Sequence, residues 1–278
     1  MIVSVASGKG GTGKTTVAVN LALSQDKVQF LDCDVEAPNA SIFLKPLIQE
    51  KKIVPFFIPR LIKEKCNFCK LCSKVCEWNA IAVIKDKWLF FPELCHSCSA
   101  CWTLCPQNAL EKEEKELGVI EKGKVGKIEF IHGKLTIGQT VAPPLIKQVK
   151  KEIRKGEDVI IDVAPGTSCP MVEAVKGTDF CLLVTEPTPF GLNDLTLAIG
   201  VVKELNIPFG VVINRFDVGD KKVENFCEKN NIPILLKIPL EERIAKYYSK
   251  GEVLVAKDEK WREKFKQLFQ KIKEKVKK

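Results

Sequence analysis

GKGGTGKTT, Gly8 to Thr16, follows the apolar, β-branched run IVSVAS at residues 2–7 and opens into Lys14–Leu23, where Val17, Leu21 and Ala22 fall on one helical face. The spacing G-x4-G-K-[ST] between a strand and a helix is that of a phosphate-binding loop. Glycines at Gly8, Gly10, Gly11 and Gly13 let backbone N–H groups turn inward around an anion, where side chains would obstruct the approach. Thr12 completes the turn, and the following helix adds its positive N-terminus. In such a loop Lys14 reaches the outer phosphates and Thr15 ligates Mg²⁺.

Outward from this loop the chain alternates between buried strands and helices. Strands are expected at 28–31, 159–161, 181–185, 210–214 and 234–238, and helices at 192–205 and 223–230. Alternation of this kind implies βαβ units, hence an α/β fold with a mostly parallel sheet and helices on both faces. Three carboxylates close such strands. Asp162 ends the apolar run DVIID, where a Mg²⁺-holding acid is expected, and Asp32 and Asp34 end the second strand at the ligand-facing edge of the sheet.

The alternation breaks between about residues 55 and 140. Pro55 and Pro59 lead into two matching runs, Cys66, Cys69, Cys72, Cys76 and Cys95, Cys98, Cys101, Cys105, the second followed by Pro106. Both read C-x2-C-x2-C-x3-C, the spacing of a bacterial two-cluster ferredoxin, in which each half gives its fourth thiolate to the other cluster. CNFCKLCSKVCEWNAI at 66–81 lies over CHSCSACWTLCPQNAL at 95–110, so Asn79 and Ala80 coincide with Asn108 and Ala109. The expected ligand sets are Cys66, Cys69, Cys72 and Cys105 for one 4Fe–4S cluster, and Cys76, Cys95, Cys98 and Cys101 for the other. Glu77 stands where the pattern usually has proline. Cys33 and Cys181 read as small hydrophobes in strands, Cys227 has no partner pattern, and Cys169 is expected to be structural.

The expected organisation is an ATPase domain at 1–55 and 140–278, an iron–sulfur insert at 56–112 and a β-hairpin linker at 113–139. The formal charge is +9, but residues 257–278 hold ten lysines and arginines against four acids, +6 in all, which leaves only +3 for the body. A nucleic-acid-binding surface is therefore not indicated. The amphipathic tail, with Trp261, Phe265, Leu268, Phe269, Ile272 and Val276 on one face, is expected to pack on the sheet rather than to lie on a membrane. MIVSVASGKGG holds no basic leader and no apolar run long enough to span a bilayer, so a cytoplasmic location is expected.

With Lys9 ahead of the double glycine, KGGTGKT resembles the deviant Walker A motif of the MinD/ParA ATPases. The resemblance implies that Lys9 reaches across a dimer to the partner's nucleotide and that Thr16 binds the α-phosphate. DCDVEAPN is similar to the first switch of that family, with Asp32 near Mg²⁺, Asp34 orienting the attacking water and Asn39 assisting. DVAPGTSCP is similar to the second switch, with Asp162 and Gly166. VVINR puts Asn214 where the family reads adenine, and Lys237–Pro239 puts Pro239 beside the base. TEPTPFGLNDL at 185–195 and RIAKYYSKGEVLV at 243–255 look like the MinD-superfamily members that carry an inserted ferredoxin domain. The expectation is an Mg–ATP-dependent ATPase, a homodimer or a heterodimer with a paralogue. It would couple ATP hydrolysis to electron transfer through two 4Fe–4S clusters to a redox or cofactor-assembly partner. The alternative is an iron–sulfur cluster or metallocofactor scaffold or carrier, and a positioning ATPase with a merely structural insert ranks third. No glutaminase Cys–His segment supports an amidotransferase.

Overall fold

The computed structural model describes residues 1–277. Eleven strands are present among them: β1 Ile2–Ala6, β2 Gln29–Cys33, β3 Leu47–Leu61, β4 Ile81–Ile84, β5 Lys87–Phe90, β6 Leu110–Val125, β7 Ile128–Leu135, β8 Val159–Val163, β9 Phe180–Thr185, β10 Phe209–Asn214 and β11 Ile234–Ile238. Nine form one sheet in the order β11-β10-β9-β1-β8-β2-β7-β6-β3, and β4 and β5 form a separate hairpin. Pairing is parallel from β11 through β7 and antiparallel at β6 and β3. The parallel strands are covered on both sides, which is why they read as continuous apolar runs rather than alternating ones.

Two cores flank the sheet. On one face the helix Lys14–Leu23 packs with the C-terminal helix Glu259–Val276, joining Val17 and Leu21 to Trp261, Phe265, Leu268, Phe269 and Ile272. Asp258 caps that last helix by accepting from the backbone N–H groups of Lys260 (2.9 Å) and Trp261 (3.2 Å), a contact typical of a helix start. The apolar stripe of the tail is thus spent on the sheet, with its lysines outward. On the other face lie helices Pro143–Lys150, Cys169–Val175, Pro189–Glu204 and Lys222–Lys229. No helix among the described residues is long and apolar enough to cross a membrane.

The stretch after β2 departs from the sequence-based expectation in its organisation. Residues 47–61 form one long edge strand that runs through residue 55, and β6 and β7 are full members of the main sheet rather than a small linker. β3 tolerates Pro55 and Pro59 because it is an edge strand with a register shift at Val54/Pro55. At Gly123 a Cβ would come within 2.5 Å of the Leu47 carbonyl oxygen, so the ribbon is narrow enough there to require glycine. The ribbon carries residues 62–109 at its tip. This unit shares a core with the main fold: Ala80 and Cys95 pack in the same cluster as Phe56, Ile58, Leu117 and Leu145.

Candidate functional site

β1 ends at Ala6, and the chain then wraps a cavity of about 570 Å³ before entering the helix at Lys14. Gly11 (φ 82°) and Gly13 (φ 88°) adopt the left-handed conformation that the wrap demands. A Cβ on Gly13 would meet Asn214 Nδ2 at 2.4 Å, and one on Gly8 would meet the Asp194 carbonyl oxygen at 2.1 Å. Asn214 Nδ2 donates to the Thr12 carbonyl at 2.9 Å, pinning the end of β10 to the loop. Thr12 Oγ1 is buried without a hydrogen-bond partner among the described residues, although a buried hydroxyl normally has one.

Lys14 is 6% exposed, and its Nζ lies 2.6 Å from Asp162 Oδ1 and 3.9 Å from Asp34 Oδ2. Burial opposes its charge, but Asp162, Asp34 and Asp32 outweigh that penalty and raise its pKa. Asp162 and Asp32 are both fully buried. Among the described residues Asp162 Oδ2 has no partner, whereas Asp32 accepts from the backbone N–H groups of Asp34 and Ala40, each at 3.1 Å. Burial and then the Asp162 charge push the Asp32 pKa up. Burial also raises Asp34, to about 6, with Lys14 pulling it down and Asp162 pushing it up. Two buried carboxylates with one orphaned oxygen beside Thr15 form a donor set suited to a hard divalent cation, which would relieve their repulsion. Lys14 partly fills that role here.

Gly10, Gly11, Gly13, Thr15, Thr16, Asp34, Asn39, Asn214 and Pro239 all line the same cavity, together with Lys14. Thr12, Asp162 and Asp32 are buried and bonded to the lining residues Asn214, Lys14 and Asp34, and Asn39 Oδ1 is buried without a partner among the described residues. Gly166, at φ 99°, donates its N–H to the Ser7 carbonyl at 3.0 Å, so the loop after β8 is tied to the loop after β1. Lys9 is half-buried, and its carbonyl accepts from Ser7 Oγ at 2.7 Å. Sequence reasoning missed the far wall of the cavity, formed by Arg215, Leu240, Ile244 and Tyr248. Three of these come from the segment after β11 that includes the helix Glu242–Ser249, whose sequence carries no binding motif.

The cysteine runs meet in two further cavities. Cys66, Cys69, Cys72 and Cys105 line one, and Cys76, Cys95, Cys98 and Cys101 line the other. The two halves repeat in backbone as well as in sequence. Positive φ angles at Phe68, Lys70 and Asn79 recur at Ser97, Ser99 and Asn108. Short helices Leu71–Lys74 and Ala100–Thr103 recur, and the N–H groups of Ala80 and Ala109 donate to Cys76 Sγ (3.2 Å) and Cys105 Sγ (3.3 Å). Phe68 N–H likewise donates to Cys66 Sγ at 3.4 Å. Burial pushes the thiols of Cys72 and Cys95 up, and that of Cys101 to about 12. Trp88 Nε1 is buried without a geometric partner, and its N–H works against the rise at Cys72. Among the described residues no three His, Cys, Asp or Glu side chains could hold a single metal ion. A quartet spread around a cavity suits a multi-atom cluster instead, and N–H groups aimed at sulfur suit thiolates bound to it. Cys33, Cys181 and Cys227 are buried, whereas Cys169 is exposed. His132, expected in the hairpin, is buried on β7 with Nε2 2.8 Å from Glu121.

The model of the CobQ/CobB/MinD/ParA nucleotide binding domain matches residues 3–255. An uncharacterized protein of Methanocaldococcus jannaschii is 34% identical over 262 residues, covering 91% of this chain and 90% of its own length. An iron-sulfur cluster carrier protein of Pyrococcus abyssi is 24% identical, covering 86% of this chain and 74% of its own length. Among solved structures, the cell division ATPase MinD of Pyrococcus furiosus superposes with a TM-score of 0.62 at 21% identity, over 98% of both chains.

Proposed function

The chain belongs to the CobQ/CobB/MinD/ParA nucleotide-binding family of P-loop ATPases, and from that premise we propose that it couples ATP binding and hydrolysis to electron transfer through two 4Fe–4S clusters held by its cysteine-rich unit. The observation that carries the reading is the pair of four-cysteine cavities, built on a repeated backbone and packed against an ATPase core. Cys66, Cys69, Cys72 and Cys105 would hold one cluster, and Cys76, Cys95, Cys98 and Cys101 the other. Bound clusters supply one-electron transfer.

At the nucleotide, Lys14 exchanges Asp162 for the outer phosphates, and the loop N–H groups of residues 10–15 cradle them. Thr15, Asp32 and Asp162 would hold Mg²⁺, which would supply charge neutralisation at the phosphates. Asp34, with its pKa near 6, orients the attacking water and accepts hydrogen bonds from it, with Asn39 beside it. Asn214 and Pro239 flank the base, and Gly166 anchors the loop after β8 against Ser7. Lys9 acts across a nucleotide-bridged dimer, of two copies or of this chain with a paralogue. The coupled partner is a redox or cofactor-assembly protein in the cytoplasm.

A second reading is cluster or metallocofactor delivery, favoured by the relatives whose names are iron-sulfur cluster carrier protein. Anaerobic purification with iron, sulfide and ATPase assays separates the two. About eight irons per chain that stay bound in the presence of an apo-ferredoxin support electron transfer. Iron that moves to the acceptor supports delivery, and an iron-free preparation defeats both.

A further inference from the structure

The two thiol-lined cavities open on opposite kinds of surface. The Cys66/Cys69/Cys72/Cys105 cavity is ringed by lysine. Lys63 and Lys65 lie in the turn of helix that leads to Cys66, and Lys70 lines the cavity itself. Lys74 ends the short helix that carries Cys72. Lys85 lies in the β4–β5 turn and Lys87 opens β5, in the hairpin whose Val83 and Trp88 line the cavity. All six are exposed, and none forms an ion pair among the described residues. The acids of residues 62–90 that oppose them are Glu64, Glu77 and Asp86. The Cys76/Cys95/Cys98/Cys101 cavity differs. Residues 91–104 hold no lysine or arginine, and the exposed residues beside its cysteines are apolar or acidic: Trp78 and Leu94, each 45% exposed, with Glu77 and Glu93. It is also the inner pole: Cys95 packs in the main core and Cys76 against it, whereas Cys72 and Trp88 touch only a small separate cluster that also holds Cys101.

We propose that the lysine-ringed pole is the docking site of an acidic one-electron carrier protein, and that electrons enter the chain there. The inference rests on the iron–sulfur reading above. Cys69 is exposed at this pole, as Cys98 is at the other, so exposure admits a carrier's redox centre at either and the lysine ring selects this one. One electron leaves the reduced carrier and enters the outer cluster; no bond forms and no proton is required. The inner cluster, against the ATPase core, is then the exit side. Six unpaired like charges over so small a unit cost self-repulsion, and an oppositely charged protein relieves it while being steered to the cluster edge. Nucleic acid is disfavoured, because the ring holds no arginine to read phosphates bidentately.

The test uses the full chain, purified anaerobically, with an acidic flavodoxin reduced to its hydroquinone as the probe. Stopped-flow spectroscopy follows cluster reduction across ionic strength. Wild type should react fastest at low salt and slow at least tenfold as the Debye length shrinks from about 10 Å at 0.1 M to about 3 Å at 1 M. K63E/K65E/K74E should lose at least tenfold at low salt and converge with wild type at high salt, with iron content unchanged. K260E/K266E/K271E on the C-terminal helix, with the same change in net charge, should behave as wild type. Iron content is measured first, so an iron-free wild type overturns the cluster reading itself. An iron-loaded protein whose rate ignores salt, or whose two variants slow equally, overturns the docking site alone. So would tight binding of a single-stranded oligonucleotide at 0.15 M salt that flavodoxin cannot displace.

Discussion

Lys14→Ala should destabilise the nucleotide-free protein in a way that depends steeply on pH. Lys14 Nζ lies 2.6 Å from Asp162 Oδ1, and Asp162 and Asp32 are both fully buried. Removing the one ammonium in contact among the described residues leaves a carboxylate that cannot stay ionised in that environment, so it takes up a proton. Drawing a proton at pH 7 onto a group with an unfolded pKa of about 3.9 costs about 3.1 units, or about 4.2 kcal/mol at about 1.36 kcal/mol per unit. That sits inside the range of about 3–5 kcal/mol for breaking a buried ion pair. The sign follows from proton binding. The variant's folded carboxylate has a raised pKa and carries one more proton than its unfolded chain, so the loss shrinks as pH falls. Lys14 also holds the Asp32 pKa down, so its loss raises Asp32 further; with a pKa of about 8 that carboxyl is already mostly protonated at pH 7 in wild type and adds little to the difference. The difference between wild type and variant in urea unfolding, with EDTA and no nucleotide, should therefore be about 4 kcal/mol at pH 7 and about 1.5 kcal/mol at pH 5. The melting temperature at pH 7 should drop by about 10 °C. Adding Asp162→Asn should recover most of the loss. A loss below about 1 kcal/mol at pH 7, or one that does not vary with pH, would refute the claim that the lysine compensates buried charge.

Asp34→Ala should bind an ATP analogue as wild type does but release phosphate at least about 100-fold more slowly, because a positioned base contributes about 10²–10⁴-fold; undiminished release would remove Asp34 from the chemistry. Gly13→Ala should abolish nucleotide binding, since its Cβ would fall 2.4 Å from Asn214 Nδ2 at a φ of 88°; filter binding checks this. Cys66→Ser and Cys105→Ser should each weaken the same electron paramagnetic resonance signal and Cys95→Ser the other, each leaving about four irons per chain. Acid should unfold the protein through Glu121 and His132. Burial works against the Glu121 charge, but hydrogen bonds from Lys134 and His132 hold its pKa down at about 2. Burial also lowers the His132 pKa. Both depressed groups stabilise the fold above their unfolded pKa values. The His132 contribution should fade as pH falls below about 6.5 and that of Glu121 from about 4.3 towards 2. Glu121→Gln should remove the lower step in a urea series against pH.

How much could be read from residues alone follows from where each feature gets its stability. β1, β2 and β8 to β11 are covered on both faces, so their burial is written in the sequence as apolar runs such as VIID and FCLLVT. The tail helix declared itself through the spacing of Trp261, Phe265, Leu268 and Ile272. β3 and β6 gave no such signal. KEEKE at 112–116 alternates charge with charge, and that ribbon is stabilised by cross-strand pairs such as Arg60 with Glu111, which only the pairing register brings together. The glycine loop was legible because backbone geometry restricts residue type there. The far wall of its cavity was not, because Ile244 and Tyr248 satisfy only a shape requirement that many side chains could meet. The exchange of Lys14 onto Asp162 depends on an inter-strand distance and is likewise invisible in one dimension.

The same ribbon explains how a small unit at the edge of a sheet can share in events at its centre. Val35 directly follows Asp34, and its carbonyl accepts from Leu135 N–H, the last residue of β7, at 2.9 Å. Its side chain presses on β7 so closely that a Cβ on Gly133 would lie 2.7 Å from Val35 Cγ1. The next residue, Thr136, donates its N–H to Leu117 of β6 at 2.9 Å, and Thr140 Oγ1 donates to the Glu93 carbonyl at 2.8 Å, two residues before Cys95. Leu117, Val35 and Cys95 belong to one packed core. Close-packed interiors resist small deformations and move as units. A displacement of the Asp34 loop would strain β7 and, through it, the Glu93–Cys95 turn along these contacts. A flexible tether of similar length would have absorbed the movement. An inserted unit that served only as ballast would not require its inner cavity to be built into the core that backs the nucleotide loop.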